Sequence, residues 1–308
     1  MKAIRIHEYG GPEKLREEDV PEPRAESGQV LVRVHAASVN PIDYKLASGV
    51  MRQIMPLEFP WIPGGDFSGV VEAVGAGVTG FKKGDAVYGD TPGGGAYTQL
   101  LATPASVVAP KPGKLNHVEA ASAPLAGQTA WQALFDHGRL ERGLTVLIHG
   151  GSGGVGAFAV QLAHWKGAKV LATGSAANAD FLRSLGADMT IDYKAKPFES
   201  IAKNVDLVID LIGGETQRRS FGVLKPGGAL IATAQPPSEE EAARHKVRAT
   251  MMRMEASAKN LSELGKLLDA GTIKPIISKR YPLGHARAAW ADILSGHTRG
   301  KIVLEVAT

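Results

Sequence analysis

The amino-acid sequence predicts an α/β protein made of a β-rich domain and a doubly wound parallel sheet. Short segments with strand-like alternation fill the first third of the chain. Strand-like and helix-like segments alternate from about residue 118, and strand character returns near residue 274. Strands that alternate with helices are typical of a parallel sheet covered on both faces. We therefore predict a β-rich domain over 1–117 and 274–308, interrupted by a doubly wound domain over 118–273.

In the β-rich part, the strands follow from a residue period of two and from Gly or Pro at their ends. Residues 29–37 (QVLVRVHAA) alternate apolar and polar side chains, and residues 69–74 (GVVEAV) end at a glycine-rich turn. Further strands are predicted at 1–6, 85–88, 96–101, 274–279 and 301–306, and a helix at 285–294. About six strands with few helices in the first third favour a small barrel or sandwich.

In the doubly wound part, strands and helices alternate along the chain. Residues 205–211 are almost wholly apolar, as expected for a strand whose two faces are both covered. The other strands are predicted at 145–149, 169–173, 189–191, 229–233 and 247–252. The helices are predicted at 128–138, 154–166, 177–185 and 256–270.

Composition excludes several classes of function. The chain has no cysteine, and its nine histidines show no metal-ligand spacing, so we predict no metal site. The net charge is +4, but basic residues are scattered among acids, which argues against nucleic acid as a partner. No apolar run approaches the roughly 20 residues that span a bilayer. We therefore expect no membrane partner and a cytoplasmic location.

A glycine-rich segment follows the first strand of the doubly wound part. It satisfies G-x-G-x-x-G with Gly151, Gly153 and Gly156, directly after a strand and at the start of a helix. The three glycines permit a tight turn, close approach of a pyrophosphate, and close packing of helix on strand. The predicted cofactor-binding residues are Gly151, Ser152, Gly153, Gly154, Val155 and Gly156. The alternative is a glycine-rich turn without a ligand.

The end of the second strand of this sheet decides between NAD and NADP. An acid about 20 residues after the glycines would hold the ribose 2′-hydroxyl and repel a 2′-phosphate. Here the strand leads into Ser175, and no acid occurs before Asp180. Ser175 can donate to a 2′-phosphate, or it can simply cap the next helix. The pattern favours NADP(H).

Several segments together carry a resemblance to a known family. They are NPID at 40–43, IPGGDFSGVV at 62–71, GDAV at 84–87, AGQTA at 126–130, the glycine loop with QLA at 161–163, and GHTRGKIVL at 296–304. With these motifs the chain resembles the zinc-independent medium-chain dehydrogenases/reductases of the quinone oxidoreductase group, over nearly its whole length. The zinc-dependent branch needs a catalytic cysteine and a four-cysteine lobe, which this chain lacks.

The resemblance implies a GroES-like catalytic domain, a Rossmann domain, and a nicotinamide that lies in the cleft between them. It also implies a homodimer. Thr129 would lie near the nicotinamide end of the cofactor, and Tyr193 near the 2′-phosphate. The remaining cofactor residues that it implies are Leu211, Ile212 and Ala234 after two strands of the sheet, and Arg299 and Lys301 in the tail.

Without a metal, the cofactor supplies the hydride, and the protein stabilises the negative charge that arrives on the acceptor's oxygen. The candidate catalytic residues are Asn40 and Tyr44. Asn40 can donate to that oxygen or form the turn before Pro41. Tyr44 can face the substrate or pack on apolar neighbours. We expect Asp43 to fix the loop through hydrogen bonds.

The leading hypothesis is an NADPH-dependent reductase of quinones or α,β-unsaturated carbonyl compounds. A second is reduction of an enoyl thioester, which uses the same hydride chemistry. A third is an NADPH-binding sensor or structural protein without useful turnover. The sequence names neither the physiological acceptor nor the proton donor, and it does not separate one-electron from two-electron quinone reduction.

Overall fold

The computed structural model describes residues 1–306, which divide into two units according to their internal contacts. The first unit comprises Met1–Leu125, Ala256–Gly271 and the stretch from Pro275. The second comprises Ala126–Glu255 and Thr272–Lys274. In the described part of the chain, no helix is both long and apolar enough to cross a membrane.

The helices and strands alternate in the order that the sequence indicates. The strands are β1 (Lys2–Arg5), β2 (Arg16–Asp19), β3 (Gln29–Val39), β4 (Asp66–Val74), β5 (Ala86–Asp90), β6 (Leu100–Pro104), β7 (Val108–Pro110), β8 (Thr145–His149), β9 (Lys169–Gly174), β10 (Met189–Asp192), β11 (Val205–Asp210), β12 (Leu224–Ala232), β13 (Arg248–Met251), β14 (Ile277–Pro282) and β15 (Lys301–Glu305). The helices are α1 (Pro41–Ala47), α2 (His117–Ala121), α3 (Pro124–Trp131), α4 (Gly154–Lys166), α5 (Ala179–Ser184), α6 (Gly214–Ser220), α7 (Glu239–His245), α8 (Ala258–Ala270) and α9 (Ala286–Leu294).

The first unit is built on a seven-stranded sheet with the order β14-β15-β3-β4-β5-β7, in which β6 also pairs with β3. All of its pairs are antiparallel except β14 with β15. In β3 the apolar side chains of Val30, Val32 and Val34 are fully buried, while the residues between them are partly exposed. The alternation of this strand therefore sets its core face, as the period of two predicts.

The second unit is a six-stranded parallel sheet with the order β10-β9-β8-β11-β12-β13. From the centre of the sheet, the strands follow one another in chain order from β8 to β10 towards one edge and from β11 to β13 towards the other. This is the strand order of a doubly wound dinucleotide-binding fold. Five of the six residues of β11 have relative exposures of 1% or less, and four of them are apolar, namely Val205, Leu207, Val208 and Ile209. The predicted doubly wound sheet is confirmed.

Several elements differ from the sequence-based predictions. Helices α1, α2, α6 and α7 are short and were not predicted, because five to seven residues carry too little periodicity. The predicted helix 128–138 begins earlier, at Pro124, and continues as a π-helical turn over Gln132–His137. The strand predicted at 96–101 lies instead at Leu100–Pro104, because the backbone at Ala96 and Tyr97 bonds to the loop at Pro63 and Gly64.

The limits of the two units differ from the predicted domains at residues 118–125 and 256–271, which belong to the first unit, and at Lys274, which belongs to the second. Helix α8 accounts for the second difference. The hydroxyl of Tyr88 in β5 donates to the carbonyl oxygen of Leu261 at 2.6 Å, and the amide of Lys114 donates to Asp269. These bonds attach α8 to the β-rich sheet.

Candidate functional site

The glycine loop joins β8 to α4 in the second unit. Gly150 has a φ of +71°, in the left-handed region that favours glycine, and the amide of Gly151 donates to the carbonyl oxygen of Thr173 at 3.1 Å. A Cβ atom on Gly156 would lie 2.2 Å from the carbonyl oxygen of Gly150. Helix α4 therefore packs on the loop more closely than any larger residue at 156 would allow.

Gly153 differs from Gly156 in its surroundings. A Cβ atom there would meet one neighbouring atom within 4 Å, the carbonyl oxygen of Gly150 at 3.5 Å. Gly153 directly precedes α4, whose first N–H groups have no acceptor within the helix. An open backbone before a helix N-terminus suits a pyrophosphate, because the N–H groups and the helix dipole both favour negative charge.

Next to this loop, the end of β9 borders a cavity of about 240 Å³. The cavity is lined by Gly174, Ser175, Ala176, Ala179, Leu182, Arg183, Thr190, Ile191 and Asp192. Within the described chain, the Ser175 side chain forms no capping hydrogen bond to the turn that follows it. This observation argues against capping as the role of Ser175 and leaves its hydroxyl for another acceptor.

Sequence reasoning found no basic residue beside Ser175, but the structure provides one. Helix α5 turns back over the strand end and brings Arg183 to the cavity, where it pairs with Asp180 at 2.6 Å. Both side chains are largely exposed, so the pair is weak and the guanidinium can change partners. Tyr193 is 58% exposed, and its amide donates to the carbonyl oxygen of Gly174 at 3.3 Å. The predicted residues Ser175 and Tyr193 therefore lie around one strand end.

His149, the last residue of β8, is linked to the glycine loop through the hydroxyl of Thr173. Its Nδ1 lies 3.2 Å from Oγ1 of Thr173, which also accepts the amide of Gly150, and its Nε2 lies 2.9 Å from Oγ of Ser220. Burial lowers the pKa of His149 to about 4. The imidazole is therefore neutral at pH 7 and supports the loop structurally.

Asp210, which the sequence analysis did not single out, fixes the loop after β11. Its Oδ1 accepts the amides of Ile212 and Gly213 at 3.0 and 2.9 Å, and its Oδ2 accepts Nε2 of Gln217. The loop that contains Leu211 and Ile212 is thereby held in one conformation. Ile212 remains 55% exposed, and Ala234 after β12 is partly exposed.

The first unit contains a group of buried polar side chains that we call the buried polar cluster. Its members come from four strands, from helix α1 and from loops, and are each at most 6% exposed. They are Ser38, Asn40, Asp43, Asp66, Asp90, Tyr97 and Lys301.

Asp66, at the start of β4, lies at the centre of the buried polar cluster. Its Oδ2 accepts the hydroxyl of Ser38 at 2.5 Å and the side-chain amide of Asn40 at 2.9 Å, and the ammonium of Lys301 lies 3.3 Å away. Its Oδ1 accepts the backbone amide of Leu125 at 2.6 Å. These donors satisfy the carboxylate and supply a counter-charge, which a buried ion requires.

Asn40 precedes α1, and its side chain contacts two other members of the buried polar cluster. Its Nδ2 donates to Asp66, and its Oδ1 accepts from Nζ of Lys301. Asp43 also fixes the helix start, because its Oδ2 accepts the backbone amide of Asn40 at 2.8 Å and the hydroxyl of Tyr97 at 2.9 Å. Asp43 fixes the loop, as expected, and burial raises the pKa of Asp43 to about 7.

The remaining predicted residues lie in different settings. Tyr44 in α1 is partly exposed and packs against the hydrophobic core of its unit. Thr129 is buried within α3, and Arg299 is exposed just before β15. The ammonium of Lys301, which the resemblance assigns to the cofactor, is bound by groups of the buried polar cluster.

Within residues 1–306, no three His, Asp or Glu side chains are grouped in a way that could hold a metal ion, and the chain has no cysteine. Two protein-family models nevertheless match the chain and carry names from metal-dependent relatives. Residues 26–113 match the alcohol dehydrogenase GroES-like domain, and residues 185–304 match a family described as zinc-binding dehydrogenase.

Curated relatives match over nearly the full chain. A chloroplast envelope quinone oxidoreductase homolog from Arabidopsis thaliana is 33% identical, with 99% of this chain and 98% of that protein covered. A 2-methylene-furan-3-one reductase from Solanum lycopersicum is 34% identical, with 99% of this chain and 79% of that protein covered.

Solved structures agree with these relatives in fold and extent. The quinone oxidoreductase from Coxiella burnetii superposes with a TM-score of 0.94 at 36% identity, covering 100% of this chain and 99% of that chain. The Escherichia coli quinone oxidoreductase, solved in complex with NADPH, has a TM-score of 0.91 at 26% identity, covering 99% of this chain and 100% of that chain.

Proposed function

Because the chain belongs to the quinone oxidoreductase group of the medium-chain dehydrogenases/reductases, we propose that it transfers hydride from NADPH to a quinone or an α,β-unsaturated carbonyl compound without a metal ion. The chain is an oxidoreductase of that group and uses a nicotinamide cofactor. The observation that carries the proposal is the glycine loop, with Gly153 open before α4 and Gly156 tightly packed on the loop.

The residues of the loop fit the pyrophosphate of a dinucleotide. The open backbone at Gly153 admits the phosphate oxygens, and the first N–H groups of α4 donate to them. Thr173 and His149 keep the loop in place from the sheet side. The loop that Asp210 fixes presents Leu211 and Ile212 to the rest of the cofactor. Thr129, Tyr193, Ala234 and Arg299 complete the proposed contacts.

The preference for NADPH over NADH rests on the end of β9. The hydroxyl of Ser175 and the guanidinium of Arg183 border the same cavity, and both can donate to a 2′-phosphate. Asp180 is the nearest acid that follows Ser175 along the chain, and it is paired with Arg183. A phosphate can take over the guanidinium from this exposed carboxylate because a dianion attracts it more strongly.

For the acceptor, the proposal assigns donor groups to Asn40 and Tyr44. Bound NADPH supplies the hydride, and its addition leaves an enolate or a phenolate on the substrate. The side-chain amide of Asn40 has two N–H groups, one of which is used by Asp66, so the second can donate to that oxygen. The amide is only 2% exposed, and a donor shielded from water stabilises charge more strongly than a solvated one.

Two features support the acceptor class and the absence of a metal from the reaction. The relatives reported above are named for reactions with a quinone and with a furanone that carries a conjugated methylene group. The chain also lacks the cysteines that a zinc-dependent relative requires. A homodimer and a cytoplasmic location stay predictions of the sequence analysis.

The experiment that tests the proposal follows NADPH and NADH oxidation at 340 nm (roughly the absorption maximum of the reduced nicotinamide). Quinones, simple enones and enoyl-CoA thioesters serve as acceptors, with and without a strong chelator. We expect NADPH-dependent turnover with quinones or enones that the chelator does not change. Loss of turnover with chelator would overturn metal independence, and equal rates with NADH would overturn the cofactor preference.

The same panel decides between this function and its alternatives. Turnover confined to enoyl-CoA compounds would replace the quinone or enone substrate by an enoyl thioester. Tight NADPH binding without turnover on any acceptor would replace the reductase by an NADPH-binding protein.

A further inference from the structure

We propose that Lys301 is a positioning residue, whose ammonium fixes the side-chain amide of Asn40 so that one N–H group is left for the substrate oxygen. The inference rests on the proposed function, in which Asn40 donates to the acceptor. It assigns Lys301 to the chemistry of the reduction through Asn40, and it replaces the cofactor contact implied by the sequence resemblance.

The first observation is where the ammonium lies. Strand β15 runs antiparallel to β3, with Ile302 opposite Val39, so Lys301 lies beside the end of β3, which Asn40 directly follows. The side chain of Lys301 is only 4% exposed, and Nζ contacts Oδ1 of Asn40. The fold therefore brings together two residues that are 261 positions apart in the chain.

The second observation is that the ammonium has no proton left for a cofactor. An ammonium carries three N–H donors. Its three acceptors are the carbonyl oxygen of Val39 at 3.3 Å, Oδ1 of Asn40, and Oδ2 of Asp66 at 3.3 Å. All of these acceptors belong to the same unit of the protein.

The third observation concerns the orientation of the amide. The oxygen and nitrogen of an asparagine side chain are nearly equal in size, so packing alone hardly distinguishes one orientation from its flipped form. At Asn40 a cation contacts the oxygen and a carboxylate accepts from the nitrogen. A flip would place Nδ2 against the ammonium and Oδ1 against the carboxylate. Opposite charges on the two sides therefore fix which atom is the donor.

The fourth observation is that packing does not require a charged residue at this position. The residues that follow in β15, Ile302, Val303 and Leu304, are apolar and fully buried. An apolar side chain at 301 would join them without the cost of burying an ion. Asp66 already accepts three neutral donors, from Ser38, Asn40 and Leu125. Besides acting as the counter-ion of Asp66, the ammonium fixes the orientation of the Asn40 side chain, which an apolar residue at 301 could not do.

The test is a double-mutant cycle on the full chain with Lys301→Met and Asn40→Ala, measured as kcat, KM and NADPH affinity. Because Lys301→Met leaves Asp66 without its counter-charge, the cycle is repeated with Lys301→Met combined with Asp66→Asn, and thermal unfolding is recorded for each variant. Lys279→Met is the matched control, since Lys279 lies in the adjacent strand β14 and pairs with Asp292 at the surface.

We expect Lys301→Met to lower kcat on the order of 10²-fold, as a small misplacement of a catalytic group does, with NADPH affinity unchanged. In the Asn40→Ala background the same change is expected to cost no further activity. An equal loss in that background, or a weaker affinity for NADPH, would overturn the proposal. Wild-type kcat in Asn40→Ala would also overturn it. That result leaves the proposed reductase function intact, because wild-type turnover tests that function separately.

Discussion

Asp66 and Asp90 are directly opposite each other on the antiparallel strands β4 and β5, and both carboxyl groups are buried. Burial, together with the nearby Asp66 and Asp43, raises the pKa of Asp90 well above its usual range. Asp66 is the member that pairs with Lys301 and accepts several donors. The two carboxyl groups therefore have different roles, since the environment of Asp90 favours its protonated form and Asp66 is the counter-ion of the ammonium.

The first prediction is that Asp90→Asn and Asp66→Asn differ strongly in stability. An amide resembles a protonated carboxyl group in shape and charge and needs no proton, so Asp90→Asn should leave the free energy of unfolding at pH 7 unchanged or raise it. Asp66→Asn leaves a buried ammonium without its counter-charge and should cost about 3–5 kcal/mol. Urea unfolding of both variants measures the difference.

The pH dependence of the same variants gives a control. A folded-state pKa above the unfolded value means that stability is present at low pH and is lost as pH rises through the raised pKa. Wild type should therefore lose stability relative to Asp90→Asn as pH rises above about 4, the ordinary pKa of an aspartate in an unfolded chain. A large, pH-independent loss in Asp90→Asn would contradict the protonated state of Asp90.

The second prediction concerns the glycine loop. Gly153→Ala should fold with a loss of less than about 1 kcal/mol, because its Cβ would contact one atom at 3.5 Å. It should nevertheless weaken NADPH binding by about 10-fold to 100-fold, the effect of losing one hydrogen bond to a charged group. Gly156→Ala should instead lose about 2–3 kcal/mol of stability, because its Cβ would overlap the backbone of Gly150 and Gly151. Fluorescence titration with NADPH and thermal unfolding separate the two effects. Unchanged NADPH affinity in Gly153→Ala would contradict the proposal that the pyrophosphate binds at this position.

The third prediction tests the cofactor preference. Ser175→Asp places a carboxylate at the end of β9 beside the cavity and should repel a 2′-phosphate. We expect the ratio of kcat/KM for NADPH to that for NADH to fall by about 10²-fold, since opposed like charges cost several kcal/mol. Ser184→Asp is the control, because Ser184 is exposed on α5 and is not part of the cavity lining. If both variants shift the ratio equally, a general charge effect accounts for it.

The sequence predicts the parallel sheet and its glycine loop well because both are local. The loop residues lie within seven consecutive positions, and helix 154–166 was predicted with the bounds that the structure has. Arg183 was missed because its place at the cavity depends on how α5 turns back over β9, which no motif encodes. A basic residue about two helical turns after Ser175 is the signal that could have found it.

The buried polar cluster was only partly predicted, for a different reason. Asn40 and Lys301 were both singled out from the sequence, but their contact depends on the pairing of β15 with β3 across most of the chain length. Asp90 and Tyr97 gave no signal, since an acid at the end of a strand and an aromatic residue in a loop are usually solvent-exposed or core residues. Long-range strand pairing therefore decides which of these side chains meet.

The last prediction follows from His149. Its pKa is about 6.5 in an unfolded chain and about 4 in the folded protein, chiefly because of burial; Asp210 and Glu199 oppose this shift and Arg219 adds to it. Below pH 6.5 the imidazole of His149 takes up a proton in the unfolded chain but not in the folded protein. The contribution of His149 to the free energy of unfolding is therefore fully present above pH 6.5 and is lost as pH falls toward 4. The loss from this residue should be on the order of 3 kcal/mol, given about 1.4 kcal/mol for each pKa unit.

His149→Gln, which keeps a neutral polar group, should remove this part of the acid destabilisation while the carboxylate contributions persist. The measurement is the free energy of unfolding from pH 7 to pH 4 in both proteins, and the expected result is a shallower curve for the variant.

His117 provides a comparison, because burial also lowers its pKa to about 4 but its side chain is only half-buried. Solvent screening should therefore make the effect of His117→Gln smaller. If the free energy of unfolding falls equally with pH in wild type and His149→Gln, His149 is already protonated in the folded protein. The conclusion that a neutral imidazole supports the glycine loop would then be wrong.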